Sequence, residues 1–234
     1  MSWIFRIFFV GLVFSCPLYA QEDKKNVREV HCRFLSFGWD GKIASTLHLG
    51  SEGEEIPCLL TRRKFSDKVL CFAENNKISF LYPDSREPMV AVKIPAKVKD
   101  ALLIFVKNPK VEMGKNAWRV LVIEDSQDTF PYGGSYVVNL HGQEVRFLIG
   151  EHRGLLKAGG FKVCDLPEKR TDFNMAPVIF QMKDKNEWED VSNTSLRFLP
   201  SSRYLFVSYV DPTTGRPRLH SIKDLKPFPK RKTS

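Results

Sequence analysis

The chain lacks every short motif that would name a reaction. Its 234 residues contain no H-E-x-x-H, G-x-S-x-G, S-x-x-K, phosphate-binding loop or G-x-G-x-x-G pattern. No C-x-x-C pair is present, which argues against a zinc or thioredoxin-type centre. The histidines are scattered and none has ligand spacing: His31, His48, His141, His152 and His220. The sequence therefore predicts no catalytic residue, no metal and no cofactor.

Long helices and long apolar segments are also scarce. No stretch shows apolar side chains at helical spacing over several turns, although residues 185–192 allow one or two turns. After residue 20 the longest apolar run, residues 101–106, is far shorter than the roughly 20 residues that cross a bilayer. With 43% hydrophobic and 27% charged residues, the composition excludes disordered, collagen-like and coiled-coil proteins.

The N-terminus has the three parts of a secretory signal peptide, over residues 1–20. Arg6 gives a short cationic start, residues 7–14 are apolar, and Ala20 offers a small residue before a cleavage site. Pro17 and the charged residues from Glu22 onward argue against a membrane anchor. We therefore expect a secreted or periplasmic protein cleaved after Ala20. Acylation of Cys16 as a lipoprotein is the alternative.

The cysteines that follow residue 20 are Cys32, Cys58, Cys71 and Cys164. An even number in an oxidising compartment favours disulfides. Residues 55–61 and 68–74 are predicted strands around a turn, and a symmetric hairpin would place Cys58 opposite Cys71 at a spacing close to that of a disulfide. The pattern favours a Cys58–Cys71 bond, with Cys32–Cys164 or buried free thiols as alternatives.

The dominant pattern is alternation of apolar and polar residues in short segments bounded by Pro, Gly and Asn. Strands at this close spacing, without long helices, predict an all-β fold. We expect two consecutive β-sandwich-like units, over residues 22–109 and 115–226, joined at the turn-rich segment 108–116. One continuous sandwich or barrel is the alternative. Residues 227–234 form a basic tail without a strand pattern and are expected to be mobile.

Positive charge exceeds negative charge, with 36 Lys and Arg against 27 Asp and Glu and a net charge of +9. It is concentrated at Arg62-Arg63-Lys64, at Lys97 and Lys99, and in the tail at Lys230-Arg231-Lys232. Basic surfaces attract anionic polymers in a salt-dependent way. Because aromatic side chains do not alternate with the basic ones along a strand pair, the pattern argues against nucleic acid as the dedicated ligand.

The most distinctive loop reads Phe130-Pro131-Tyr132-Gly133-Gly134-Ser135. Glycines beside a serine are typical of a nucleophile elbow, but an elbow needs a helix after the turn and residues 136–140 continue as a strand. We interpret the segment as a turn that enters a strand. The predicted binding surface combines two sets of residues, namely Phe130, Tyr132 and Ser135 of this loop and Arg62, Arg63 and Lys64 of the basic turn.

Acidic residues surround one tryptophan in Glu187-Trp188-Glu189-Asp190. A hydrolase acting on an extracellular polysaccharide or peptide could assemble a site from Glu187, Glu189, Asp190 or His152. That is the alternative hypothesis. The missing motifs favour the main one, an exported non-enzymatic β module that binds a protein or an anionic polymer in the cell envelope or outside the cell.

Three stretches of turn and strand residues are Val92-Lys93-Ile94-Pro95 leading to Leu102-Leu103-Ile104-Phe105, the segment 130–140, and Arg203-Tyr204-Leu205-Phe206-Val207 with Arg216-Pro217-Arg218. Together they resemble a group of small exported bacterial β proteins with no assigned activity. The similarity covers roughly residues 40–224. It implies an all-β architecture and export, and it implies no catalytic residues. Gly133-Gly134 departs from the single glycine expected at that turn.

Overall fold

The computed structural model describes residues 26–37, 45–50, 53–108, 111, 117–184, 187–211 and 214–227. The predicted signal peptide, Cys16 and the tail segment Lys230-Arg231-Lys232 lie outside these residues. In the described part of the chain, no helix has the length and apolar character that a membrane crossing needs.

The described residues form strands throughout, which confirms the predicted all-β fold. The strands are β1 (Val27–Phe37), β2 (Ser45–Leu49), β3 (Glu55–Leu59), β4 (Val69–Glu74), β5 (Lys77–Leu81), β6 (Pro88–Lys93), β7 (Asp100–Lys107), β8 (Trp118–Glu124), β9 (Ser135–Asn139), β10 (Val145–Ile149), β11 (His152–Leu156), β12 (Phe161–Cys164), β13 (Met175–Asp184), β14 (Glu187–Arg197), β15 (Ser202–Val210) and β16 (Pro217–Leu225). One or two helical turns were allowed at residues 185–192, but residues 187–192 belong to β14, which pairs with β13 from Glu187 onward.

The first sheet contains β1 to β8 in the order β3-β2-β5-β4-β1-β7-β8, with β6 beside β5. Its strand β1 pairs parallel to β7 and antiparallel to β4. The sheet bends until β6 contacts β8. Inside the bend, the ring of Phe80 lies 6.0 Å from that of Phe34 and 5.2 Å from that of Phe105, both edge to face. This aromatic cluster is the centre of the first hydrophobic core.

Two four-stranded sheets follow and complete a layered, sandwich-like arrangement. We call them the middle sheet, in the order β12-β9-β15-β16, and the outer sheet, in the order β11-β10-β13-β14. One face of the middle sheet packs on the first sheet, with Val207 beside Leu35 in one core. The other face packs on the outer sheet through Phe206, whose ring lies 5.3 Å from that of Phe180. Because both faces of the middle sheet are covered, β9 and β15 are buried along almost their whole length.

The cysteine prediction needs correction. β3 pairs with β2 and β4 pairs with β1, so the hairpin that would place Cys58 opposite Cys71 does not form. Cys58 instead faces Thr46, and Cys71 faces Val30. All four described cysteines are buried free thiols. Cys32, Cys58 and Cys71 nevertheless share the first core, and the neighbouring Cys71 thiol together with burial raises the pKa of Cys32 and of Cys58.

The first sheet extends beyond the predicted seam. β7 and β8 form an antiparallel pair from Ala101 opposite Glu124 to Lys107 opposite Trp118. The turn-rich segment 108–116 therefore connects two strands of one sheet, and the change to the middle and outer sheets comes after Glu124. The division into two units stays a prediction.

Candidate binding cavity

A cavity of about 600 Å³ lies where the loop 62–68 of the first sheet faces the end of β16 in the middle sheet. We call it the junction cavity. Its lining comes from both sheets, and consists of Arg33, Lys64, Phe65, Ser66, Asp67, Lys68, Asp125, Ser126, Gln127, Tyr132, Arg203, Lys223, Asp224, Leu225, Lys226 and Pro227. Its volume lies within the range of small-ligand sites, about 300–1,000 Å³.

Hydrogen bonds to β1 fix the loop 62–68, which we call the basic loop, at the edge of the cavity. The Phe34 N–H in β1 donates to the Ser66 hydroxyl at 2.8 Å, and the Ser66 N–H donates to the Phe34 carbonyl at 3.0 Å. The Ser36 N–H donates to the Thr61 carbonyl at 2.7 Å. The loop therefore continues the hydrogen bonding of the sheet, and this positions Lys64 beside the cavity.

The loop 130–134 lies across the cavity from the basic loop, and its conformation requires both Gly133 and Gly134. Gly133 has a φ of +95°, which residues with a side chain rarely adopt. A side chain at Gly134 would collide with the carbonyl oxygen of Cys164. The Gly133 N–H donates to the Ser202 carbonyl at 2.7 Å, which ties the loop to the start of β15. The double glycine thus brings Tyr132 to the cavity beside Arg203.

Two arginines and two aspartates form the floor of the cavity, and we call them the arginine–aspartate cluster. Arg33 binds Asp224 through both terminal nitrogens, at 2.9 and 2.7 Å. Arg203, only 2% exposed, donates from Nε to Asp224 at 2.9 Å and pairs with Asp125. Burial alone would lower the pKa of Arg33, but the hydrogen bond and the charge of Asp224 outweigh it and raise the pKa. The two positive and two negative charges balance, as buried charges require.

Aromatic rings enclose this cluster. The guanidinium carbon of Arg203 lies 4.1 Å from the centre of the Phe130 ring and 4.3 Å from that of Tyr132. Arg33 lies over the Phe65 ring at 4.9 Å. Such cation–π contacts hold the planar groups in place. Burial raises the pKa of Tyr132, with Arg203 acting in the opposite direction.

The rim of the cavity carries the excess positive charge. Lys64 and Lys226 are exposed and form no ion pair with a described residue. Lys223 also borders the cavity, but its Nζ lies 5.9 Å from the centre of the Tyr204 ring, on the side of the middle sheet that faces the outer sheet. Lys68 pairs with Asp100 at 2.6 Å. Asp67 is the one carboxylate among the described lining residues that no arginine holds. Since the floor is neutral and its donors are engaged, the rim lysines are the groups that can attract and hold an anion.

The predicted binding residues fall into three positions. Lys64 and Tyr132 line the junction cavity, while Arg62 and Arg63 are exposed on the same loop outside its lining. Phe130 is buried below Arg203 and accepts a hydrogen bond from it through the carbonyl oxygen at 2.6 Å. Ser135 is fully buried in β9, and its hydroxyl has no partner in the described structure. Phe130 and Ser135 therefore do not present a surface to a partner.

Sequence reasoning missed Arg33, Asp125, Arg203, Asp224, Lys223 and Lys226. One signal could have found part of the cluster. Arg203 opens the apolar run of β15, and Asp224 alternates with Ile222 on the buried side of β16. A charge in an inward register needs a partner of the opposite sign. The two charges face each other across the β15–β16 pair, in which Arg203 lies opposite Asp224.

The residues of the hydrolase hypothesis fall into two separate groups. His152 lies on β11 and Glu187, Glu189 and Asp190 lie on β14, at opposite edges of the outer sheet. Three inter-strand steps of about 4.8 Å separate these edges by about 14 Å. None of the four residues lines the junction cavity.

The sequence matches no protein-family model and no curated protein. The resemblance to exported bacterial β proteins therefore stays a prediction.

His220 gives the basic loop a pH-sensitive contact. Its Nε2 lies 3.2 Å from the Arg62 carbonyl, and its ring packs edge to face on Phe37 at 5.0 Å. Burial lowers the pKa of His220, and the hydrogen bond to Arg62 only partly offsets this. A folded-state pKa below the unfolded value means that this contribution to stability is complete above about pH 6.5 and is lost as the pH falls through the lower folded value.

We expect His220→Phe, which keeps the aromatic packing, to reduce the loss of unfolding free energy between pH 7.5 and pH 5. Urea denaturation of both proteins at the two pH values measures the difference. An equal loss in the wild type and the variant would contradict this role of His220.

Proposed function

We propose that the protein is an exported, non-enzymatic β module that binds an anionic polymer at the junction cavity. The observation that carries the proposal is the rim, where Lys64 from the first sheet and Lys226 at the end of β16 in the middle sheet border one cavity. Lysines from two sheets at one site hold a polyanion in a fixed orientation, whereas scattered surface lysines do not. Export, predicted from residues 1–20, gives the module access to envelope or extracellular polymers.

The neutral floor supports binding over catalysis. Asp125 and Asp224 are engaged by Arg33 and Arg203, so neither carboxylate is available as a general base. The cluster also ties the loop before β9 to β15 and β16. We infer that its role is to keep the two lysine-bearing walls at a constant separation.

The test is retention of the purified protein on dextran sulfate at low ionic strength. We expect the double variant Lys64→Gln, Lys226→Gln to bind about tenfold more weakly, because both removed charges face the same cavity. The matched control is Lys93→Gln, Lys97→Gln, which removes the same charge from exposed positions on β6 and the loop after it. Equal weakening in both variants would mean that only net charge matters, and the proposed site would be wrong.

A further variant tests the loop itself. Alanine at Arg62, Arg63 and Lys64 should weaken retention more than the change at Lys64 alone if the whole turn contacts the polymer. Unchanged retention would remove the turn from the binding surface.

A further inference from the structure

A second site lies on the solvent-facing side of the outer sheet, on the other side of that sheet from the middle sheet. A groove of about 410 Å³ is lined by Arg146, Phe147, Leu148, Arg153, Gly154, Ile179 and Gln181. We call it the outer-face groove. In the sheet register Arg146 lies between Leu155 and Gln181, and Leu148 lies between Arg153 and Ile179. Leu148 and Ile179 therefore form an apolar strip, with Arg153 next to Leu148 on β11 and Arg146 two residues before Leu148 on β10.

Arg146 is held rigidly although it is exposed. Its guanidinium carbon lies 4.3 Å from the centre of the Trp188 ring. Its Nε donates to the side-chain oxygen of Gln181, and the Gln181 amide donates in turn to Asp190. The acidic segment around Trp188 thus positions an arginine rather than forming a catalytic site.

This arrangement leaves one edge of the guanidinium open. Among the described residues, Nη1 and Nη2 of Arg146 donate no hydrogen bond. A planar guanidinium with both terminal nitrogens available matches the two oxygens of a carboxylate. Arg153 adds a second positive charge, and the lining of the groove contains no carboxylate.

We propose that the outer-face groove binds the free C-terminal carboxylate of an extended peptide whose last residue is apolar. The carboxylate pairs with Arg146, and the last side chain lies on Leu148 and Ile179. Leu155, 57% exposed and next to Arg146 in the sheet, offers a contact for the residue before it. The groove lies on an open sheet face, so the preceding peptide can continue across the strands, whereas a long acyl chain would stay exposed to water. This site is separate from the junction cavity and does not depend on the function proposed for it.

The test compares two peptides by calorimetry and by amide chemical shifts. N-acetyl-Gly-Leu-Leu with a free carboxylate should bind at least about tenfold more tightly than the same peptide with a C-terminal amide. Hexanoate, which carries the carboxylate without a peptide, should bind more weakly than the free acid. Shift changes should map to β10, β11 and β13.

Variants of the positioned arginine sharpen the test. Arg146→Gln and Arg146→Lys should both lose about tenfold in affinity for the free acid, since lysine cannot make the paired contact. Trp188→Leu should weaken binding by releasing Arg146. Arg119→Gln, an exposed arginine on β8, is the matched control and should bind as the wild type does. Near-UV circular dichroism confirms that each variant is folded.

Four outcomes would overturn the proposal. They are equal affinity for acid and amide, hexanoate binding as tightly as the peptide acid, no binding up to about 10 mM, or equal losses in Arg146→Gln and Arg119→Gln. The second of these would identify a site for aliphatic acids in place of peptides.

Discussion

Arg203→Ala is expected to lower the free energy of unfolding by about 3–5 kcal/mol, because it leaves buried carboxylates without their partner. Arg203 binds Asp224 and Asp125, and its Nη1 donates to the Phe130 carbonyl. The aspartates are 5% and 6% exposed, so water cannot readily replace the lost donors. Equilibrium urea denaturation, followed by tryptophan fluorescence, measures the change.

The control is a second arginine in the neighbouring strand. Arg218 on β16 is half exposed and lies 3.9 Å from Asp211, so Arg218→Ala should cost less than about 1 kcal/mol. Arg203→Met retains most of the side-chain volume and should still be strongly destabilising if charge balance is the cause. Equal stabilities of the Arg203→Ala and Arg218→Ala proteins would refute the role given to the cluster.

A double-mutant cycle separates the pair from its surroundings. If Arg203 and Asp224 act together, Arg203→Met and Asp224→Asn combined should cost less than the sum of the two single changes. Additive costs would mean that each side chain stabilises the fold through other contacts. The cycle thus measures the interaction free energy of the Arg203–Asp224 pair, which links β15 to β16 at the cavity floor.

Local patterns in the sequence predict strands well because the pleat repeats every two residues. The predicted strands over residues 55–61 and 68–74 form β3 and β4 with nearly these bounds. β11 has a weaker sequence signal because Gly154 and the exposed Leu155 interrupt the alternation.

Strand partners depend on the whole chain and could not be predicted. Cys71 lies on a strand that pairs with β1, although β3 is its neighbour in sequence. The strands of the parallel pairs β1–β7 and β9–β15 are far apart in the sequence, and no local pattern predicts that they pair. Lys64 and Tyr132 were identified from local turns, but that they line one cavity follows from the packing of the first sheet on the middle sheet. The arginine–aspartate cluster likewise forms only when these two sheets pack together.

The packing also explains why a neutral cluster and a charged rim occur together. A sheet interface excludes water, so charges that face it must be paired, as Arg33 is with Asp224. Lysines at its edge stay solvated and need no partner. One interface therefore supplies both a fixed floor and free cations, which is the combination that the proposed function uses.

Asn139 is the second position at which we expect a large loss of stability. Its side chain is fully buried at the end of β9 and connects four segments of the chain. The two N–H groups of its amide serve three carbonyls, one hydrogen being shared, and the nitrogen lies 2.8, 3.1 and 3.1 Å from the oxygens of Gln143, Leu156 and Lys157. The amide oxygen accepts from the His141 N–H at 2.8 Å and from the Ser208 hydroxyl at 2.9 Å.

Asn139→Ala is expected to lower the free energy of unfolding by about 3–5 kcal/mol, since several buried polar groups lose their partners at once. Asn139→Asp keeps the shape but directs a carboxylate oxygen at three carbonyls, and it should be at least as destabilising. Asn193→Ala, at an exposed position on β14, should change stability by less than about 0.5 kcal/mol. Urea denaturation gives these values, and amide exchange at His141 should accelerate in Asn139→Ala because its acceptor is removed. If Asn139→Asp unfolds at the wild-type urea concentration, the three carbonyl contacts do not hold these segments together, and the packing of β9 on β15 alone would have to do so.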